Sequence, residues 1–388
     1  MKALFLTHAF PRERGDPVGS FVLRLAVLLR EEGIDVSVLA PHTPGYPVID
    51  DLEGIRVERF RYGPERMETL AYTGTMIAQV KRNPIAMAAL AGMVAAGAAA
   101  TAHVARRDAV DLVHAHWWFP SGFAAALAWG ARGHAQVTTL HGSDIRAARV
   151  APPAASGFRY TLRHSRQVTC VSRWLADEAR ALAPDEDPHV APMPVDGALF
   201  HPPSDERARD RLLFVGKLNA QKGITPLLRA LSLMHHRPEL DVVVGPGSDE
   251  GPSRRLAHDL GLAGQVRWHA MMPQSKLAAL YREVTALVAP MIGEGLGLIA
   301  IEAALSGLPV VAANSGGLRD VVVEGKTGFL VPPADPAALS IALDALLSRE
   351  DQGADLGAAG REHALATFAP EAVARRYAEI YRNAVGKS

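Results

Sequence analysis

Short apolar runs of β-branched and aliphatic residues alternate along the chain with longer stretches in which apolar positions recur every three or four residues. In the first half the short runs predict strands over Lys2–Thr7, Ile34–Ala40, Ile55–Tyr62, Asp111–His116, Gln136–Leu140 and Gln167–Ser172. The longer ones predict helices over Ser20–Glu32, Pro84–Arg107, Ser121–Arg132 and Arg173–Leu182. Prolines then crowd the chain at 184, 188, 192, 194, 202 and 203, which interrupts regular structure and marks a linker. From Arg211 the alternation resumes. Strands are predicted over Arg211–Val215, Asp241–Val244, Val266–His269, Ala286–Ala289, Val310–Ala312 and Gly328–Val331. Helices are predicted over Thr225–His235, Gly251–Leu260, Ser275–Glu283, Gly297–Ser306, Pro336–Ser348 and Pro370–Ala384. Strand–helix alternation implies parallel sheets covered on both faces, so the fold class is α/β, with two doubly wound units in tandem and no sequence repeat between them. Open α/β sheets bind ligands at the carboxyl ends of their strands, which places the expected site in a cleft between two such units.

Composition narrows the function classes. The 388 residues carry 41 Lys+Arg against 41 Asp+Glu, so the formal net charge is zero, which argues against a general nucleic-acid binder. Cys170 is the single cysteine, which excludes an intramolecular disulfide framework and a multi-thiolate metal site. Residues 84–102 carry no charge and approach the length of a membrane span, but Ala and Gly dominate. The expectation is a helix packed inside the first domain. No export signal is read at the start, and the expected location is cytoplasmic. Between Ile145 and Trp174 lie six Arg and no acid. That run reads either as a solvated face or as an anion-facing patch, the latter implying a peripheral contact with the inner face of a membrane or with a phosphate-bearing acceptor.

Chemistry concentrates in a few strand-following loops. Gly293-Glu294-Gly295-Leu296-Gly297 precedes a helix that carries Glu302. Glycines there let backbone amides approach a ligand, and the helix amino terminus favours an anion. A phosphate at that end, with carboxylates accepting from sugar hydroxyls, suits a sugar nucleotide; a Gly-rich turn with a capping Glu is the plain alternative. Gly216-Lys217-Leu218-Asn219-Ala220-Gln221-Lys222-Gly223 places two lysines after a strand, either as solvated cations or to balance a diphosphate. Gln136–Leu140 leads into His141, Gly142, Ser143 and Asp144 at a strand's carboxyl end. His114 and His116 share one strand face, but no third ligand at supportive spacing accompanies them, so cleft lining or packing is favoured over a metal. No Gly-x-Gly-x-x-Gly follows the first strand, which excludes a nicotinamide-dependent oxidoreductase reading.

Taken together, the Gly216–Gly223 loop and the Glu294/Glu302 pair resemble retaining glycosyltransferases of family 4, which have the two-domain GT-B architecture. The resemblance continues through 303–312, Ser315–Asp320 and Gly325–Val331, and through the crossing 191–196 with Phe200. Lys217 stands where that family usually has Arg, Asp320 replaces the commoner Glu, and Val18-Gly19 replaces a Gly-Gly pair. The resemblance implies a first, acceptor-side domain over 1–190, a donor-binding domain over 200–369, and a final helix over 370–386 packing back onto the first. It implies transfer of a sugar from a nucleoside diphosphate sugar, UDP-linked in preference to GDP-linked, with no cofactor and no metal. The acceptor is a hydroxyl of a glycan, a lipid-linked or a small molecule. Lys217 and Lys222 would bind the diphosphate, with Gly216 among the donor-binding residues. Glu302 would accept from the ribose, and Glu294 would contact the donor sugar. Backbone amides of Gly19, Gly295, Leu296 and Gly297 would approach sugar and phosphate. His141 would orient the donor sugar, while Asp144 and His116 are the acceptor-side candidates. The rival implied by the same residues is an inactive sugar-nucleotide-binding subunit.

Overall fold

The computed structural model describes residues 1–72, 76–130, 133–149, 152–204 and 207–386. Two compact units divide the chain: the first comprises Met1–Pro194 with Pro370–Ser388, the second Val195–Ala369.

The first unit holds an eight-stranded sheet: β1 Lys2–Leu6, β2 Asp35–Pro41, β3 Ile49–Leu52, β4 Ile55–Phe60, β5 Leu112–His116, β6 Gln136–Leu140, β7 Gln167–Cys170 and β8 His189–Val190. Their spatial order is β3-β4-β2-β1-β5-β6-β7-β8. All neighbours pair in parallel except β3 with β4. The order reverses direction between β1 and β5, the switch point at which open sheets leave a crevice. Its helices are α1 Ser20–Glu31, α2 Met76–Arg82, α3 Pro84–Arg107, α4 Phe123–Ala128, α5 Ser143–Ala148, α6 Pro152–Arg163 and α7 Arg173–Leu182.

The second unit holds β9 Arg211–Gly216, β10 Glu239–Val244, β11 Val266–His269, β12 Ala286–Ala289, β13 Val310–Ala313 and β14 Gly328–Val331. All pair in parallel in the order β11-β10-β9-β12-β13-β14. This is the doubly wound dinucleotide-binding order, with its switch point between β9 and β12. Around it lie α8 Ile224–Leu233, α9 Gly251–Asp259, α10 Gln274–Glu283, α11 Leu298–Leu305, α12 Leu318–Val321, α13 Pro336–Leu347 and α14 Ala354–Phe368. The final helix, α15 Pro370–Val385, returns to the first unit, where Tyr377 donates to the Ala191 carbonyl at 3.0 Å.

Leu212, Phe214, Leu240, Val242, Ala286 and Val288 are the buried sheet positions of the second core, closed by Leu227, Leu228 and Leu231 of α8 and by Leu339 and Leu343 of α13. In the first unit the Ala-rich α3 lays Ala89, Met93, Gly97, Thr101 and Val104 inward at helical spacing, while Ile85 and Met87 remain outside. Among the described residues α3 alone has the length and apolarity to cross a membrane.

Several elements depart from the sequence-based expectation. β3 carries Asp50 and Asp51 on an edge strand, so no apolar run announces it. The helix expected over Ser121–Arg132 is regular only over Phe123–Ala128, and residues 131–132 lie outside the described residues. Helix α6 opens on two prolines and α14 contains two glycines, which hide both from a periodicity reading.

Candidate functional site

In the second unit the site is built at the switch point. Gly223 adopts φ +76° and caps α8 with a bare backbone, and a Cβ there would lie 2.4 Å from the Pro290 carbonyl oxygen. That close approach locks the loop after β9 against the loop after β12, and Ile292 N–H donates across it to the Gln221 carbonyl at 2.9 Å. Gly297, at φ +86°, caps α11 in the same bare way. Neither helix has an acidic residue in its first turn, so two amino termini with unpaired N–H groups flank the switch point. Gly316 and Gly317 pack directly on the Glu294–Leu296 backbone, and Gly317 N–H donates to the Glu294 carbonyl at 2.8 Å. Ser315 Oγ accepts from Gly293 N–H at 3.0 Å.

The structure brings Lys222 and Glu294 together: Nζ lies 2.6 Å from Oε2, both side chains about a fifth exposed (22% and 23%). The Glu294 carboxylate neutralises the ammonium, so an anion at this place has to compete with it for Lys222. Lys217 follows Gly216, whose carbonyl accepts from Gly245 N–H at 2.9 Å, and Leu218 N–H donates to Ser248 Oγ at 3.0 Å. Glu302 lies on the first turns of α11, 8% exposed, with Oε2 accepting from the Tyr281 hydroxyl at 3.1 Å. Burial pushes its carboxyl up to about 7, although the Tyr281 hydrogen bond pulls the other way. Tyr281 carries no motif. Its position on the buried face of α10 was the one available signal.

In the first unit, aromatic rings converge at the ends of β1, β5 and β6. His116 Nδ1 lies 3.1 Å from His141 Nε2. Trp117 lies tilted against His141, with ring centroids 4.3 Å apart, and edge-on to His8, at 4.7 Å; Phe21 of α1 sits 5.4 Å from His141. His114 binds Tyr381 of α15 through Nδ1 at 2.5 Å and Thr139 through Nε2 at 2.6 Å. Burial pushes His8 down to about 4 and His114, His116 and His141 well below the ordinary imidazole value, so all four are neutral at pH 7. Both oxygens of Asp144 serve backbone amides: Oδ1 accepts from Trp118 N–H at 2.9 Å, Oδ2 from His141 N–H at 2.5 Å and Gly142 N–H at 3.2 Å. Its carboxyl is pushed up to about 6 by burial, opposed by those donors. Gly19 takes φ +71° at the start of α1, where a Cβ would lie 2.3 Å from the Ala9 carbonyl oxygen. His8 and the tyrosine pair Tyr377/Tyr381 were not singled out in the sequence, although the tyrosines' spacing of four places them on one helix face.

Three arginines of 145–174 have local partners: Arg149 pairs with Glu178, Arg159 donates to the Leu182 carbonyl, and Arg166 to the Gly133 carbonyl. Among the described residues no three His, Cys, Asp or Glu side chains are grouped to hold a metal ion.

Comparison with known proteins bears on both units. Residues 18–198 match the family model Glycosyltransferase Family 4, and residues 200–363 match Glycosyl transferases group 1. The D-inositol 3-phosphate glycosyltransferase 1 of Catenulispora acidiphila is 31% identical, over 98% of this chain and 94% of the relative. That of Streptomyces scabiei is also 31% identical, over 99% and 91%. Among solved structures, sucrose-phosphate synthase from Thermosynechococcus elongatus superposes with a TM-score of 0.82 at 23% identity, covering 100% of both chains. Anabaena HepE in complex with UDP and glucose gives 0.71 at 19%, covering 98% and 99%. The order of both sheets and the strand-end loops thus accompany sequence identity over nearly the whole chain, and this protein belongs to glycosyltransferase family 4, an enzyme of GT-B fold.

Proposed function

We propose that this glycosyltransferase moves a sugar from a nucleoside diphosphate sugar, UDP-linked in preference to GDP-linked, to an acceptor hydroxyl with retention of anomeric configuration. The observation that carries the reading is the Lys222–Glu294 pair at 2.6 Å, set between the uncapped amino termini of α8 and α11 at the switch point of the second sheet. A diphosphate needs cations and unpaired N–H groups, and this place supplies both. Lys217 and Lys222 hold the diphosphate and stabilise the charge that develops on it as the glycosidic bond breaks. As Lys222 turns to the phosphate, Glu294 is released to accept from donor-sugar hydroxyls. Glu302, one helical face further in, accepts from the ribose. The departing diphosphate oxygen helps take the proton from the incoming hydroxyl, so the chain's part is orientation and electrostatics. In the first unit, Gly19 at the start of α1 and His141 at the end of β6 orient donor and acceptor, with Asp144 fixing the His141 backbone.

A thermal-shift panel of UDP, GDP and their sugar conjugates tests the reading. A ligand present at a hundred times its dissociation constant adds about 2.7 kcal/mol of stability, which is a measurable rise in Tm. The expected result is the largest rise with UDP and a UDP-sugar; no rise with any nucleotide contradicts it.

A further inference from the structure

His116 is fully enclosed (0% exposed), yet one of its ring nitrogens has no partner among the described residues: Nε2 is buried without a hydrogen bond, while Nδ1 faces His141 Nε2 at 3.1 Å. With both rings neutral, each carries one proton, and only two arrangements place a hydrogen between Nδ1 and Nε2. In one, His141 donates from Nε2, so His116 must carry its own proton on Nε2, where a buried N–H points at nothing. In the other, His116 donates from Nδ1, its Nε2 is a bare lone pair, and His141 carries its proton on Nδ1. A buried N–H without an acceptor is the rarer and costlier defect, so the second arrangement wins.

We infer that His116 is a positioning residue that fixes His141 as the Nδ1–H tautomer, making His141 a hydrogen-bond donor toward an oxygen of the bound substrate. Its surroundings hold the ring in place for that task. Trp117 lies against one side with centroids 4.3 Å apart, Phe21 sits at 5.4 Å, and the Asp144 carboxylate anchors the His141 amide at 2.5 Å. His141 Nδ1 has no hydrogen-bond partner among the described residues, which leaves that N–H for a ligand. His116 is itself held by Phe5 at 5.0 Å and His114 at 4.2 Å between ring centroids, and His114 is tied to α15 through Tyr381. The group that His141 meets is therefore an acceptor: a sugar hydroxyl oxygen or a phosphate oxygen. This last point rests on the role given to His141 above; the tautomer does not.

Nitrogen NMR of the full-length, histidine-labelled protein without ligand reads the tautomer directly. Two-bond proton–nitrogen correlations, assigned with His141→Ala and His116→Leu, are expected to show His141 with a protonated Nδ1 and a bare Nε2. In His116→Leu the donor is gone, and His141 is expected to drift to a mixture of tautomers while kcat falls about tenfold. In His116→Asn a side-chain N–H occupies the place of Nδ1, and it is expected to restore the wild-type pattern and recover turnover relative to the leucine variant. His141 protonated on Nε2 in the wild type overturns the proposal, and so does an unchanged His141 pattern in His116→Leu. If the leucine variant does not fold, the wild-type spectrum decides alone. Normal turnover by His141→Ala overturns the role of His141 in transfer and leaves the tautomer assignment standing.

Discussion

Glu302 is the residue whose environment and proposed task pull in opposite directions. Accepting from a ribose favours a carboxylate, yet burial beneath α10 raises its carboxyl to about 7, against about 4.3 for an unperturbed glutamate. Because the folded value is raised, protonation stabilises the fold: the contribution is complete below the unfolded value and is lost as pH climbs through about 7. Glu302→Gln removes the buried charge and keeps an acceptor for Tyr281. The Tm difference between the variant and the wild type is expected to move in the variant's favour from pH 5 to pH 8, followed by melting in matched buffers. A difference that is flat with pH contradicts the assignment of a buried, titrating carboxyl. The same variant is expected to bind nucleotide more weakly at pH 8 than the wild type. Residue chemistry of this kind was only half legible in the sequence. Glu302 and Lys222 stand out by motif, but Tyr281, which tunes Glu302, lies 21 residues away on another helix, and the Lys222–Glu294 contact closes over 72 residues.

At the scale of elements, the site is made by glycines that let loops touch. Gly223 is the sharpest case: φ +76° with the Pro290 carbonyl 2.4 Å from where a Cβ would be. Gly223→Ala is expected to cost ~1–3 kcal/mol of stability from backbone strain alone, and more if the β9 and β12 loops separate. Denaturant unfolding measures it, and loss of nucleotide binding is expected to exceed the loss of stability. Tolerance of alanine, with normal Tm and binding, contradicts the account of two interlocked loops. The buried strands around those loops were readable because a parallel strand covered on both faces is a plain apolar run, as in Ala286–Ala289 and Val310–Ala313. The unread elements fail for a physical reason in each case. β3 is an edge strand with Asp50 and Asp51, and α14 buries Gly357 and Gly360 where a periodicity search looks for larger side chains. The His116–His141 contact depends on the β5–β6 register, which pairs His116 with Thr139 and leaves His141 two residues beyond. No local pattern in the sequence carries that register.

For the whole molecule, the repeated α/β alternation makes two doubly wound units legible in the sequence. The neutral net charge is an average over the whole chain, within which Lys222 and the amino termini of α8 and α11 gather at the strand ends of β9 and β12. The return of α15 to the first unit was implied by family resemblance, and the physical tie is in Tyr377 and Tyr381, which bond Ala191 and His114. In the proposed function, the strand ends of β9 and β12 hold a nucleoside diphosphate through Lys222. Calorimetric titration of UDP into the wild type and Lys222→Ala tests it most directly. Tight binding by the wild type and a loss of about 10- to 100-fold in the variant, the worth of one charge-assisted contact to phosphate, is the predicted result. Equal affinity of the two proteins for UDP, with the variant folded, would contradict it.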